Sequence, residues 1–113
     1  MQRAFSLRRG SEFQRVWDNG KAWSHPLVIL RASANGTNEN RFGFVVGKKV
    51  GKAVERNRAK RLLREAVRRR LDRIVKGWDI ILIARGGAEN AEYGDIENAV
   101  ETVLRRAQLM RDS

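Results

Sequence analysis

The stretch Trp78-Asp79-Ile80-Ile81-Leu82-Ile83-Ala84 constrains this chain more than any other. Side chains of a strand alternate between two faces, and beyond Asp79 both faces here are apolar. Such a segment is stable only as a central strand whose sheet is covered on both sides. The rest of the chain must therefore supply neighbouring strands and at least two covering layers.

The neighbours are legible. Leu27 to Ala34 predicts a strand, with Val28, Leu30 and Ala32 on one face and Leu27, Ile29, Arg31 and Ser33 on the other. Residues 35–40 have the composition of a turn, and Arg41 to Val46 follows as a strand, so the pair reads as an antiparallel hairpin. Trp23 fits one further short strand before Pro26.

Three helices supply the cover. Ser11-Glu12-Phe13-Gln14 reads as a capping box with Ser11 as N-cap, and Phe13, Val16 and Trp17 continue at helical spacing to a stop at Gly20. Ala59, Leu62, Leu63, Ala66, Val67, Leu71 and Ile74 keep a 3.6-residue period, whereas Val54 falls out of phase. The long helix is thus expected to begin near Arg56, after a loop from Gly47 to Glu55. Arg70 points toward its apolar side, where the stem can snorkel. Asp95 reads as the cap of a last helix with Ile96, Ala99, Val100, Val103, Leu104 and Ala107 as its stripe, and Glu97 and Glu101 favourable near its start. The fold class is α+β, a small α-β sandwich in the order α-β-β-α-β-α, with the Trp23 strand as a possible addition. At 113 residues this is one domain, 1–113, of which residues 1–10 are expected to be flexible.

Charge narrows the function. The chain carries +11, with 24 basic against 13 acidic side chains. Residues 41–76 hold 14 of the basic and 3 of the acidic groups, so the whole excess lies in that window. Self-repulsion disfavours such a cluster unless a polyanion relieves it, and a face kept for solubility would intersperse both signs. Helical phase puts Arg58, Arg61, Arg64, Arg68 and Arg69 on one outward arc with Lys60 at its border. Lys48, Lys49 and Lys52 lie in the loop before it. Phosphate oxygens would meet both the arginine forks and the free amides of the helix's first turn. Asn57 is either the N-cap or a base or ribose contact. The chain has no cysteine and no apolar run near the ~20 residues that span a bilayer, which fits the cytoplasm and no membrane partner.

Other motifs carry less. Phe42-Gly43-Phe44-Val45 echoes an RNA-recognition signature, but the basic residue and glycine that should precede it are missing. Gly47-Lys48-Lys49-Val50-Gly51-Lys52-Ala53 is one spacer short of a P-loop, and Ala53 replaces its hydroxyl. His25 is the only histidine, so no histidine pair is available for acid–base cleavage. Glu89, Glu92, Asp95, Glu97 and Glu101 fit service to a helix start better than a metal site. No protein-borne catalytic centre and no protein-bound metal or cofactor are expected.

The block Phe42-Gly43-Phe44-Val45-Val46-Gly47-Lys48-Lys49-Val50-Gly51-Lys52, continued by Arg56-Asn57-Arg58-Ala59-Lys60-Arg61-Leu62-Leu63-Arg64, resembles the signature of the bacterial ribonuclease P protein component. The early Phe13-Gln14-Arg15-Val16-Trp17 helix, the Ile-rich strand followed by Ala84-Arg85, and the closing helix extend the likeness over the chain. The resemblance implies a ribosomal-protein-like fold with a left-handed β-α-β crossover. It implies a ribonucleoprotein, an endoribonuclease whose large RNA performs the hydrolysis with magnesium and removes the 5′ leader of precursor tRNA. Lys52, Arg56, Asn57, Arg58, Lys60, Arg61, Arg64 and Arg68 would then bind the catalytic RNA. Phe13, Trp17 and Arg31, with Lys48 and Lys49 nearby, would form the leader cleft. The partners are these two RNAs, with no protein partner required.

Two departures stand out. Arg31 occupies a position where many relatives carry an aromatic, and Trp17 one often held by phenylalanine. Phe13 and Trp17 are alternatively plain core packing, with Trp17 the better placed of the two for a partly exposed ring. A structural ribosomal-RNA binder shares the charge and size, while an autonomous protein nuclease lacks its catalytic groups.

Overall fold

The computed structural model describes residue 7 and residues 10–111. Helix α1 (Ser11–Asn19) is followed by strands β1 (Lys21–Ser24), β2 (Val28–Ala34) and β3 (Arg41–Val46), helix α2 (Ala53–Arg68), strand β4 (Trp78–Ala84) and helix α3 (Tyr93–Arg106). The Trp23 strand is present as β1, and the Ile-rich segment is a strand over the expected residues. The expectation for residues 1–10 lies outside the described residues except at Gly10 and at Leu7, whose N–H donates to the Phe42 carbonyl at 2.9 Å.

The sheet runs β1-β2-β4-β3. β2 pairs antiparallel with both β1 and β4, and β3 pairs parallel with β4. The expected hairpin between β2 and β3 is therefore corrected. The two strands do run in opposite directions, but β4 lies between them, because the most apolar strand takes the position with a neighbour on each side. A parallel pair needs a long crossover, and α2 supplies it between β3 and β4.

Val28, Leu30, Ala32, Phe42, Ile80, Leu82 and Ala84 share one core with Leu63, Ala66 and Val67 of α2 and Ile96, Val100, Val103 and Leu104 of α3. α1 lies on the other face, across β2 and β4. Val16 and Ile81, both fully buried, belong to that second layer. One row of its sheet face, Ile29, Ile83 and Val45 by register, is only half-buried.

Helix ends depart from the periodicity in instructive ways. Gly10, at φ 93°, is the N-cap of α1, and its carbonyl accepts from Gln14 N–H at 2.9 Å. Ser11 is thus the first helical residue, and the Gln14 amide donates instead to Asp18. α2 starts at Ala53, earlier than expected, with Lys52 as N-cap and the Glu55 carboxylate accepting from Lys52 N–H at 3.1 Å. Val54 is 82% exposed there: a first-turn residue projects past the packed face and has no stripe to follow. Arg56-Asn57-Arg58 consequently follows the first turn, and Asn57 is not the N-cap. α2 ends at Arg68, so Leu71 and Ile74 reach the core from a 3₁₀ turn and an isolated bridge to Met110. Glu92 caps α3, and Asp95 is its third residue, accepting from Glu92 N–H at 3.1 Å.

The junction of α1 with the sheet requires glycine. A Cβ on Gly20 would stand 2.5 Å from the Val16 carbonyl oxygen and 2.9 Å from that of Ala32. No side chain fits between the end of the helix and β2.

Candidate nucleic-acid interface

The loop that carries Lys48 and Lys49 is a single 3₁₀ turn, Lys48–Val50, pinned by Val50, which is 3% exposed. Both lysines project to solvent. Gly51 then takes φ 145°, and a Cβ there would press on the Glu55 carboxylate at 3.0 Å. That glycine lets the chain turn sharply enough for Glu55 to cap the helix, which places Lys52 and the free first-turn amides beside the two lysines.

α2 divides into two electrostatic halves. Among the described residues, no carboxylate stands within ion-pair distance of Lys52, Arg56, Lys60, Arg61 or Arg64. Asn57, Arg61 and Arg64 are exposed, while Arg56, Arg58 and Lys60 are half-buried. Arg58 leans toward the loop after β4, its guanidinium 3.4 Å from the Glu89 carbonyl. Arg64 lies over the Phe44 ring at 5.8 Å.

The second half is already neutralised. Arg68 holds Glu65 through two hydrogen bonds, and Arg69 shares that carboxylate. The bond from Arg68 pulls the Glu65 carboxyl below its usual range. Arg69 also covers the Tyr93 ring at 5.3 Å. Arg70, its side chain only 11% exposed, pairs with Glu97 and Glu101 of α3 at 3.3 Å each. Its stem lies toward the apolar side as the helical phase implied, but its head meets carboxylates rather than water. Glu97 and Glu101 act between helices, beyond any service to the helix dipole.

On the opposite face of the sheet, Phe13 and Trp17 stack with centroids 5.9 Å apart and planes inclined by 14°. Trp17 is 41% exposed, which removes the core-packing reading for that ring. Phe13 is half-buried, its ring edge 3.5 Å from where a Cβ on Gly43 would stand. Arg31 lies over the Trp17 ring at 5.2 Å while donating to the carbonyls of Trp17 and Gly20. Arg31 thus ties the end of α1 to the sheet, a role its position in a strand could not disclose.

Two grooves join these surfaces. One, of about 430 Å³, is lined by Gly10, Phe13, Phe44, Val45, Val46 and Lys60. The other, of about 220 Å³, is lined by Val46, Ala53, Arg56, Asn57 and Lys60. Val46 and Lys60 border both, so the aromatic face and the cationic helix form one continuous surface around the free edge of β3. A hollow of about 520 Å³ near the far end of α2, lined partly by Phe42, Leu71 and Asp72, contains none of the candidate residues.

His25, Glu89 and Glu97 have structural partners. His25 Nδ1 accepts from Leu27 N–H at 3.0 Å in the turn between β1 and β2. Glu89 accepts from Gly87 N–H, and Glu97 accepts from the Tyr93 hydroxyl. No helix among the described residues is long and apolar enough to cross a membrane.

Comparison with known proteins agrees on one family. The sequence model described as Ribonuclease P matches residues 1–108. The ribonuclease P protein component of Herpetosiphon aurantiacus is 46% identical over 112 residues, covering 99% of this chain and 91% of the relative. That of Clostridium botulinum strain Loch Maree is 43% identical over 102 residues, covering 89% and 92%. Among solved structures, the RNase P protein of Staphylococcus aureus superposes with a TM-score of 0.88 at 31% identity, over 96% of this chain and all of that one. The RNase P protein of Thermotoga maritima gives 0.81 at 30% identity, over 89% and 96%.

Proposed function

Because the chain belongs to the ribonuclease P protein family, we propose that its continuous surface serves two RNAs at once, the catalytic RNA on α2 and the 5′ leader of precursor tRNA beside α1. Membership makes it the protein component of an endoribonuclease ribonucleoprotein that processes tRNA, rather than a structural ribosomal-RNA binder. The division of labour within it is read from the residues.

Lys52, Arg56, Lys60, Arg61 and Arg64 carry charges that no carboxylate meets among the described residues, with Asn57 beside them in the groove and Arg58 turned toward the Glu89 carbonyl. Arginine forks and ammonium groups in that state release counterions when they meet phosphates, which supplies affinity. Arg68 belongs to the same ridge but shares its charge with Glu65. An unpaired strand would lie along the other groove, over Phe13, Phe44 and Val45, with Trp17 stacked on Phe13 as a second platform and Lys48 and Lys49 in the turn that follows Val46. Stacking tolerates any base, which suits leaders of varied sequence. Arg31 supports the Trp17 platform from beneath.

In this reading hydrolysis and its magnesium belong to the RNA subunit, and the chain binds and orients. Among the described residues no three acidic or histidine side chains gather as metal ligands. The observation that carries the proposal is Lys60, which borders both grooves, so that a leader in one would lie beside a catalytic RNA on the other.

The test is cleavage of precursor tRNA by protein alone, by catalytic RNA alone, and by both at low magnesium. Activity is expected only with RNA present and is raised by the protein. Cleavage by highly purified protein alone would overturn the assignment.

A further inference from the structure

Asp79 is 1% exposed, a carboxylate at the head of an otherwise apolar central strand. Arg41, directly opposite it in register on β3, meets it with both arms of its fork, Nε to Oδ1 at 2.8 Å and Nη2 to Oδ2 at 2.7 Å. The Asn35 amide also donates to Asp79 Oδ1, at 2.9 Å. The third arm of Arg41, Nη1, reaches Glu12 of α1 at 2.6 Å. The bonds to Asp79, foremost, and to Glu12 hold the Arg41 guanidinium still more firmly protonated than usual. One arginine therefore links the centre of the sheet to the first turn of the helix that carries Phe13 and Trp17.

We propose that Glu12, Arg41 and Asp79 are positioning residues that set the angle of α1 on the sheet and thereby the geometry of the Phe13–Trp17 wall. The inference rests on the leader-cleft reading above. A buried ion pair adds little stability over an apolar pair of similar volume, whereas its fixed geometry specifies one arrangement. That arrangement matters here because Glu12 adjoins Phe13, whose ring edge occupies the space above Gly43, 3.5 Å from where a Cβ there would stand, two residues from Arg41. Trp17 is stacked on Phe13, so a tilt of the first turn moves both rings. At the other end Arg31 holds the Trp17 carbonyl. α1 is mounted at both ends by arginines reaching up from different strands, and only the Arg41 mount passes through a second, buried charge.

The experiment measures affinity of the assembled holoenzyme for leader-bearing precursor and for mature tRNA, with wild type, Glu12→Gln, Arg41→Lys and Trp17→Ala. Glu12→Gln leaves the Arg41–Asp79 pair intact, and Arg41→Lys keeps the charge but cannot bridge both carboxylates. Each is expected to weaken precursor binding by about threefold to tenfold, part of what losing a stacked base would do, with mature tRNA unchanged. Removing the Glu12 charge without a positioning role would instead strengthen RNA binding, so the sign discriminates. Unchanged or tighter precursor binding in Glu12→Gln and Arg41→Lys, with Trp17→Ala still selective for precursor, overturns the positioning role alone. No selectivity in Trp17→Ala overturns the leader cleft and this inference with it.

Discussion

The guanidinium of Arg31 covers the indole of Trp17 at 5.2 Å and donates to the carbonyl of that same residue. One face of the ring is thus taken by a fixed cation, while 41% of the residue stays open to solvent. A ring held this way, with Phe13 stacked against it, has little motion left to lose on binding.

Trp17→Ala is accordingly expected to weaken binding of leader-bearing precursor by about 1–3 kcal/mol, the range for one stacked base, and to leave mature tRNA nearly unchanged. Parallel titrations of the two RNAs against the holoenzyme check this, and equal losses would count against the cleft.

The two halves of α2 should differ in their salt response. Arg61 is exposed with no carboxylate partner among the described residues, whereas Arg68 is held by Glu65. Arg61→Ala should lower the slope of log K against log salt for the catalytic RNA by about 0.7–0.9, and Arg68→Ala by clearly less. Slopes that fall equally would remove the distinction.

Glu97 accepts from the Tyr93 hydroxyl at 3.0 Å and from Arg70, and those bonds hold its carboxyl below the ordinary glutamate range, Tyr93 foremost. A depressed carboxyl contributes stability that is full above its unfolded value and lost as pH falls through the lower folded value. Tyr93→Phe should therefore lower the unfolding midpoint at neutral pH, with the difference from wild type closing in acid. Melting curves across pH decide it, and a gap that stays constant into acid would contradict this origin.

Gly20→Ala places a Cβ against two backbone carbonyls, so the end of α1 must move off β2. The expected loss is about 1–3 kcal/mol, as for other overpacked sites. Urea unfolding measures it, and a neutral result would show that the junction is more compliant than its spacing indicates.

Much of this was written in periodicity. The apolar run of β4 and the stripes of α2 and α3 are faces that touch the core, and burial enforces their spacing. Residues outside such contact carried no such signal. Val54 broke the phase of α2 because a first-turn side chain has nothing to pack against. The turn at residues 35–40 reports only that the chain reverses between β2 and β3, not that β4 inserts between them. The cationic ridge was legible as charge, but the neutralisation of Arg69 and Arg70 just beyond it depended on Glu97 and Glu101, on α3. One clue to the α1 mount was present throughout: Asp79 was the sole charge in the most apolar strand, and such a charge requires a partner.

The strand order has a consequence in time. β4 forms the centre of the sheet yet is the last strand to be synthesised, so β1–β2 and β3 cannot be joined until residues 78–84 have left the ribosome. Until then α2 emerges with its apolar stripe uncovered and its arginines not yet met by α3. Joining the two halves of this sheet is therefore a late, non-local event.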